Sequence, residues 1–393
     1  MPIIIEIILW ILFGILALNV SYFLFFSLAS LIPRRPKYSK IEKFNKFLVM
    51  IPAYKGDEVI LHTVEESFKQ NYPQEHYRIC VIADQLQPET IQSLKSNPVS
   101  VVEVKFEKST KSKSLNAALD AMEGSVYDYV VLLDIDNIMD PAFLEKMNAL
   151  LQHNEVVVQG HRMAKNLDTP FAILDAISEE INNSIFRKGH YKLGFSSALI
   201  GSGKAMRYDI FRDIMRKIDA VGGFDKEMEI YLISSGIKIG YDHTAIVLDE
   251  KVQLPEVFQN QRRRWLSAQL AYMKKFALKG IIKGIFTFKP DLLDKSIQLT
   301  LLPRAITIGL LGIFGVLYFV GFEMGIWFLG LLGMNILAMW IALPRRFYHP
   351  RYFKAVLYFP NVFILMFMNF FKLKGANKSF IHTPHQVKSD KKN

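Results

Sequence analysis

Cysteine is nearly absent. Cys80 stands alone in 393 residues, which excludes an internal disulfide framework and any zinc site built on thiolates. Charge is scarce too, at 22% against 51% hydrophobic and 13% aromatic residues. That balance excludes a disordered or fibrous chain and fits one partly immersed in lipid. Acidic residues number 37 against 48 basic ones, so the net charge is +11. Internal repeats and low-complexity segments are missing. So is any long apolar run between Ile32 and Ile297, which confines membrane-spanning structure to the two ends.

At the N-terminal end, Ile3 to Ile32 carries a single charge, Glu6. A helix of this length, at about 1.5 Å per residue, exceeds the roughly 30 Å of a bilayer's hydrocarbon core. No basic segment precedes it, it is too long for the core of a signal peptide, and Pro33-Arg34-Arg35-Pro36 follows as a stop-transfer pattern. It reads as a retained anchor. Near the other end, Ile297 to Leu343 carries only Arg304 and Glu323, too long for one span and suited to two with a turn near Phe322–Met324. Phe353 to Phe371, interrupted by Pro360, reads as a third span or an interfacial helix. The expected organisation is an anchor over 1–33, a soluble domain over 34–290, a membrane region over 291–372 and a basic tail over 373–393.

Basic residues flank the spans. Arg34, Arg35, Lys37, Lys40, Lys43 and Lys46 follow the first, and Arg345, Arg346, Arg351 and Lys354 follow the C-terminal pair. Cytoplasmic loops carry such an excess, so the soluble domain is expected on the cytoplasmic side of an inner or plasma membrane. The clustering beside apolar segments favours phospholipid over nucleic acid as the partner of this charge.

The soluble region alternates strand and helix patterns. Phe47–Ile51, Arg78–Ala83, Val99–Phe106, Tyr129–Leu133 and Val156–Gln159 read as strands. Glu58–Gln70, Pro88–Ser96, Ser112–Met122 and Pro141–Gln152 read as helices between them. This order implies an α/β domain with a mostly parallel, Rossmann-like sheet covered by helices on both faces. Ligands of such sheets bind at the carboxyl ends of the strands. Asp84 follows the second strand, and Asp134 and Asp136 follow the fourth, so all three are expected on one rim. Crowded carboxylates repel unless a cation or proton intervenes. Their hard oxygens suit Mg²⁺ or Mn²⁺, which commonly also hold substrate phosphates. The bland alternative makes Asp134 and Asp136 loop acids ahead of the helix at Pro141. The apolar strand before them and the second strand-end aspartate favour the metal.

The chain resembles the membrane-bound inverting glycosyltransferases of family 2, which have the GT-A fold, over roughly Phe47 to Gln269. Ile51-Pro52-Ala53-Tyr54-Lys55-Gly56-Asp57-Glu58 is similar to that family's opening I-P-A-Y-N-E-E. Ile82-Ala83-Asp84 resembles its nucleotide-contacting aspartate. Lys111, Leu115, Asn116 and Leu119 fit its K-x-x-x-L-N-x-x-L segment, and Asp134-Ile135-Asp136-Asn137 its D-x-D motif. Gly201-Ser202-Gly203 resembles its G-x-G segment on the acceptor side. Gln261-Arg262-Arg263-Arg264-Trp265 fits Q-x-x-R-W, which polysaccharide synthases and ceramide-type glycolipid synthases carry. One motif departs: where the family presents Glu-Asp, this chain reads Gly222-Gly223-Phe224-Asp225-Lys226-Glu227. The spacing back from Gly236 selects Asp225 as base, with Glu227 second; both would also simply favour a helix N-terminus.

The resemblance implies a nucleotide-diphosphate sugar donor, with UDP-linked donors dominant among the similar enzymes. Pro52, Ala53, Tyr54, Glu58 and Asp84 would hold base and ribose. Asp136 would bind the divalent cation, with Asp134 beside it on the ribose or on a water of the ion. Lys111 would neutralise phosphate, unless it is one solvated lysine in a run with Lys108 and Lys113. Arg262, Arg263 and Arg264 would bracket the diphosphate, since guanidinium groups suit phosphate oxygens. Gln261, Gly203 and Trp265 fall on the acceptor side. The arginines and tryptophan would otherwise read as an interfacial anchor. His161, His190 and His243 are further candidates that more often satisfy local hydrogen bonds. His382-Thr383-Pro384-His385 resembles a segment after the last span of polymerising relatives.

Few spans and a short chain favour a lipid or lipid-linked acceptor. A processive polysaccharide synthase is the alternative, with oligomerisation supplying further spans. A catalytically inactive membrane scaffold or nucleotide-sugar sensor is supported only by the altered base motif.

Overall fold

The computed structural model describes residues 3–33, 38, 40–124, 126–152, 155–218, 220 and 222–372. The tail with His382–His385, and Arg34, Arg35 and Lys37 of the first basic cluster, lie outside the described residues.

Eight strands form one sheet: β1 (Phe47–Tyr54), β2 (Tyr77–Asp84), β3 (Ser100–Val104), β4 (Tyr129–Leu132), β5 (Ile138–Met139), β6 (Val157–Ala164), β7 (Lys204–Arg207) and β8 (Ile239–Asp249). The order across the sheet is β3-β2-β1-β4-β7-β6-β8-β5. β1, β2, β3 and β4 run parallel, as the sequence pattern predicts. β7 enters antiparallel between β4 and β6, and β5 is antiparallel on β8. β6 and β8 run parallel to each other, so their carboxyl ends return to the rim already occupied by β1, β2 and β4.

Alternation along the strands sorts the core into two faces. Val49, Ile51, Ile79 and Val81 pack with Ile60, Phe143 and Met147 on one side. Leu48, Met50, Cys80 and Ile82 pack with Leu115, Phe211 and Met228 on the other. Both faces are covered, so the strands read as continuous apolar runs. Cys80 is one of these core residues, and burial pushes its thiol up to about 12, so it stays an unreactive small hydrophobe.

Pro52 does not stop β1. The strand runs on through Tyr54, paired with Asp84 on β2. β4 pairs only as far as Met50, whose carbonyl accepts the Leu133 N–H at 3.0 Å. Pro52 faces that same side one step later, where the ladder has ended and no N–H is needed.

Among the described residues, three helices are long and apolar enough to cross a membrane: Ile3–Ala29, Gly325–Ala342 and Pro350–Asn369. A fourth crossing would be the pair Pro290–Thr300 and Arg304–Val320, bent by 57°. The bend shifts the expected start of the C-terminal spans. Ile297 belongs to the first arm, and the chain breaks at Leu301–Pro303 before the apolar helix begins. The turn near Phe322–Met324 lies where expected. Ile3, Ile4, Trp10, Leu18, Phe319, Ile326, Trp327 and Trp340 remain exposed, an apolar belt that a water-soluble protein rarely carries.

The N-terminal helix also enters the domain. Phe26 stacks on the His190 ring at 3.6 Å, and Gly189 packs so tightly on Phe26 that an added Cβ would lie 2.3 Å from its carbonyl oxygen. His190 donates from Nδ1 to the Ile185 carbonyl at 2.7 Å. Its Nε2 lies 3.0 Å from Gln298 Nε2 and 2.8 Å from the Tyr22 hydroxyl, and that hydroxyl donates to Asp294 at 2.6 Å.

Candidate active site

A cavity of about 1210 Å³ opens along the carboxyl rim of the sheet. It exceeds the roughly 300–1,000 Å³ of a single small-ligand site. Its wall includes Pro52, Ala53, Tyr54, Asp84, Lys111, Asp134 and Asp136. Asp225, Gln261, Arg262, Arg264 and Trp265 also line it, as do the apolar Leu302, Ile308, Met339 and Trp340.

Of the residues singled out in the sequence, Glu58, Gly203, Glu227 and Arg263 do not line this cavity. Glu58 sits in the first turn of the helix Asp57–Ser67. Gly203 serves the backbone instead. At φ +67° its N–H donates to the Leu132 carbonyl and its own carbonyl accepts from Gly160, both at 2.7 Å. Gly201 is the glycine of that segment on the cavity wall. Glu227 is buried, and its Oε1 accepts from Lys275 at 2.6 Å and from the Tyr231 hydroxyl at 3.3 Å. Asp225, two residues earlier, opens the helix Phe224–Ser234 on the cavity side. Gly223 precedes that helix at φ +70°, and a Cβ there would come within 3.1 Å of Ala268 and Tyr272 on the helix Pro255–Tyr272. The helix of Asp225 and the helix of Gln261–Trp265 are thereby held in direct contact.

The histidines have local roles. His161 Nε2 lies 3.0 Å from Glu180, and its Nδ1 lies 3.1 Å from the His243 carbonyl. Burial lowers the His243 imidazole below its usual range.

The crowding of carboxylates is resolved differently from the sequence expectation. Lys111 pairs with Asp134 and also donates to the Gly201 carbonyl at 3.0 Å, so it is not simply a solvated lysine. Arg162 lies 3.7 Å from the other Asp134 oxygen. Burial alone would raise the Asp134 carboxyl, but Lys111 and Arg162 hold it well below the usual carboxylate range. Arg162 also donates to Glu179 at 2.7 Å and lies 3.5 Å from Asp249, while Lys251 pairs with Asp249 at 2.7 Å and with Glu179. Asn137 joins the network, donating to Asp249 at 3.0 Å. Arg162, Glu179, Asp249 and Lys251 escaped the sequence reading. The sequence carries one signal for Asp249: it ends β8 as Asp84 ends β2.

Asp84 is 2% exposed and neither carboxylate oxygen has a hydrogen-bond partner. Burial raises its carboxyl, which Ser109 and Lys55 offset only in part. Such an orphaned acceptor on a cavity wall is satisfied by a ligand bringing N–H or O–H donors.

Asp136 is buried; its oxygens accept from the Glu250 N–H at 3.0 Å and from Asn137 at 3.3 Å. Among the described residues no three His, Cys, Asp or Glu side chains converge as a metal cage. Two strand-end carboxylates still fit Mg²⁺ or Mn²⁺, ions commonly bound by one or two carboxylates with the rest of the shell from water and substrate phosphates.

Arg262 pairs with Asp175 and packs over Trp265 at 4.4 Å and Phe258 at 4.8 Å. Arg264 sits on the wall where Asp134 is its charged neighbour.

A family model described as Glycosyltransferase like family 2 matches residues 45–268. The chain belongs to that family. A probable glycosyltransferase of Bacillus subtilis (strain 168), YdaM, is 25% identical over 274 residues, 64% of each chain, so this chain spans just under two thirds of that relative. The mannosyltransferase PcManGT from Pyrobaculum calidifontis, solved with GDP-Man and Mn2+, aligns over 82% of this chain and 98% of its own. Its identity is 14% and its TM-score 0.50, which shows a shared GT-A-like fold with a curled, mostly parallel sheet.

Proposed function

We propose that this family-2 member is an integral membrane glycosyltransferase with a cytoplasmic catalytic domain. It moves a sugar from a nucleotide-diphosphate donor, a UDP-sugar on this reading, to a lipid or lipid-linked acceptor, with inversion. The observation that carries this reading is that one cavity is lined by the strand-end acids, by Asp225 and Trp265, and by apolar residues of the candidate spans such as Met339 and Trp340. A donor entering from water and an acceptor embedded in lipid would meet beside Asp225. The neighbour's GDP-Man and Mn2+ are compatible with a nucleotide-sugar and a divalent ion here.

On this reading Asp84 and the Pro52–Tyr54 strand end hold the nucleoside. Asp134 and Asp136 would hold the cation, which would supply Lewis-acid stabilisation to the charge on the departing diphosphate. Lys111 and Arg264 add fixed positive charge at the same place. Asp225 accepts the proton of the acceptor hydroxyl as that oxygen attacks the anomeric carbon from the side opposite the diphosphate. Trp265 offers a ring face against the acceptor's head group.

The test is a panel of labelled nucleotide sugars with Mn²⁺ or Mg²⁺, read by nucleotide release and product mass. A lipid product one sugar heavier supports the reading. A ladder of polymer would replace it with a processive synthase. No turnover of any donor, with nucleotide binding retained, would leave a sensor or scaffold.

A further inference from the structure

Arg304 is the charged residue that begins the helix Arg304–Val316, directly after the break at Leu301–Pro303. It lines the cavity, as do Leu302, Pro303 and Ile308. Its Nη2 donates to the Ser178 carbonyl at 2.8 Å and to the Ser178 hydroxyl at 2.9 Å. Its Nη1 is buried and has no partner. No carboxylate lies within ion-pair distance of it among the described residues. The charges that act on it are Arg262 and Arg187, both of like sign. The acids of this region are already engaged: Asp175 with Arg262, and Glu179 with Arg162 and Lys251. Arg187, from the π-helical stretch Asn183–Gly189, is buried on the same wall.

A guanidinium with one buried, unpartnered nitrogen and two like charges acting on it is unfavourable unless an anion joins it. Arg304 opens one arm of the bent candidate span, and ionisable residues inside spans by default mark a functional site. On the reading above, the donor's diphosphate already has Lys111 and Arg264 around Asp134. We propose that Arg304, backed by Arg187 and Arg262, binds the phosphate of an anionic lipid acceptor whose hydrocarbon chain lies against the apolar residues of the cavity wall. This rests on the reading that the acceptor is a lipid and narrows it to phosphate-bearing lipids over neutral ones such as diacylglycerol. Guanidinium suits that role, since its planar fork meets two phosphate oxygens together.

The test uses the full chain in detergent micelles. Phosphatidylglycerol and diacylglycerol with identical acyl chains are the probes, scored as bound adducts by native mass spectrometry, and UDP binding is measured in parallel. Wild type is expected to retain phosphatidylglycerol over diacylglycerol. Arg304→Gln should weaken phosphatidylglycerol by about 10- to 100-fold, the range for hydrogen bonds to a charged group, and leave UDP binding unchanged. Arg304→Lys keeps the charge without the fork and should fall between them, which preserves the test if the glutamine variant does not fold. Equal retention of the two lipids by wild type, or unchanged phosphatidylglycerol binding in both variants, overturns the proposal. Loss of UDP binding in place of lipid binding also overturns it, because the anion is then the donor's diphosphate. A polymer ladder in the donor panel would instead remove the underlying lipid-acceptor reading.

Discussion

Asp225→Asn replaces a carboxylate by an amide of the same shape, so it removes proton acceptance and little else. Asp225 lies on the cavity wall, while Glu227 is turned away, held by Lys275 at 2.6 Å and Tyr231 at 3.3 Å. A positioned general base contributes about 10²–10⁴ in rate, equivalent to about 2.7–5.4 kcal/mol of barrier at 1.36 kcal/mol per decade. Asp225→Asn should therefore lower the single-turnover rate by that factor while nucleoside diphosphate affinity holds. Glu227→Gln gives up an ion pair whose lysine is 54% exposed. Solvent screening limits that loss to about 0–1 kcal/mol of stability, and the rate should stay near wild type. The assay is rapid-quench product formation at saturating donor, alongside thermal melting. Turnover retained in Asp225→Asn, or a matching collapse in a well-folded Glu227→Gln, would refute the assignment.

Three further outcomes follow from the geometry. Gly223→Ala puts a Cβ on a φ +70° residue, 3.1 Å from Ala268 and Tyr272; left-handed backbone alone costs about 1–2 kcal/mol, so the melting temperature should fall, and an unchanged one would contradict the contact. Trp265→Ala should abolish transfer while nucleoside diphosphate binding persists, and full turnover would remove Trp265 from the acceptor site. Lys204 is 1% exposed, and burial pushes its ammonium down to about 7 against the pull of Asp225. An unfolded lysine titrates near 10.4, so between about pH 7 and 10.4 the unfolded chain holds a proton that the folded chain has released, and stability rises with pH across that window. Melting temperatures of wild type should climb relative to Lys204→Met from pH 7 to 10, and parallel curves would count against this.

The parallel half of the sheet was legible because strands buried on both faces leave unbroken apolar runs such as Phe47–Ile51 and Tyr129–Leu133. β7 and β8 were not read: Lys204–Arg207 is short and carries charge at both ends, and β8 mixes Asp242, His243 and Thr244 into its run. With β8 went Asp249, and with it the network that neutralises Asp134. Motif order brought Asp84, Asp134, Asp136, Asp225 and Trp265 into one hollow. It gave no indication of what sits between them, because Arg162, Glu179 and Lys251 belong to no short motif and meet only through tertiary packing. The 57° bend likewise escaped hydropathy, which counts apolar residues and is blind to Pro303 redirecting the chain.

The stack of Phe26 on His190, with Tyr22 reaching Asp294, makes the first helix a packed member of the fold and not a loose tether. Trimming residues 1–33 to gain solubility would strip one face from His190 and leave the Asp294 carboxylate short of a donor. Preparations of this protein should therefore keep the first helix, since the truncated form would present a hole where its core should close.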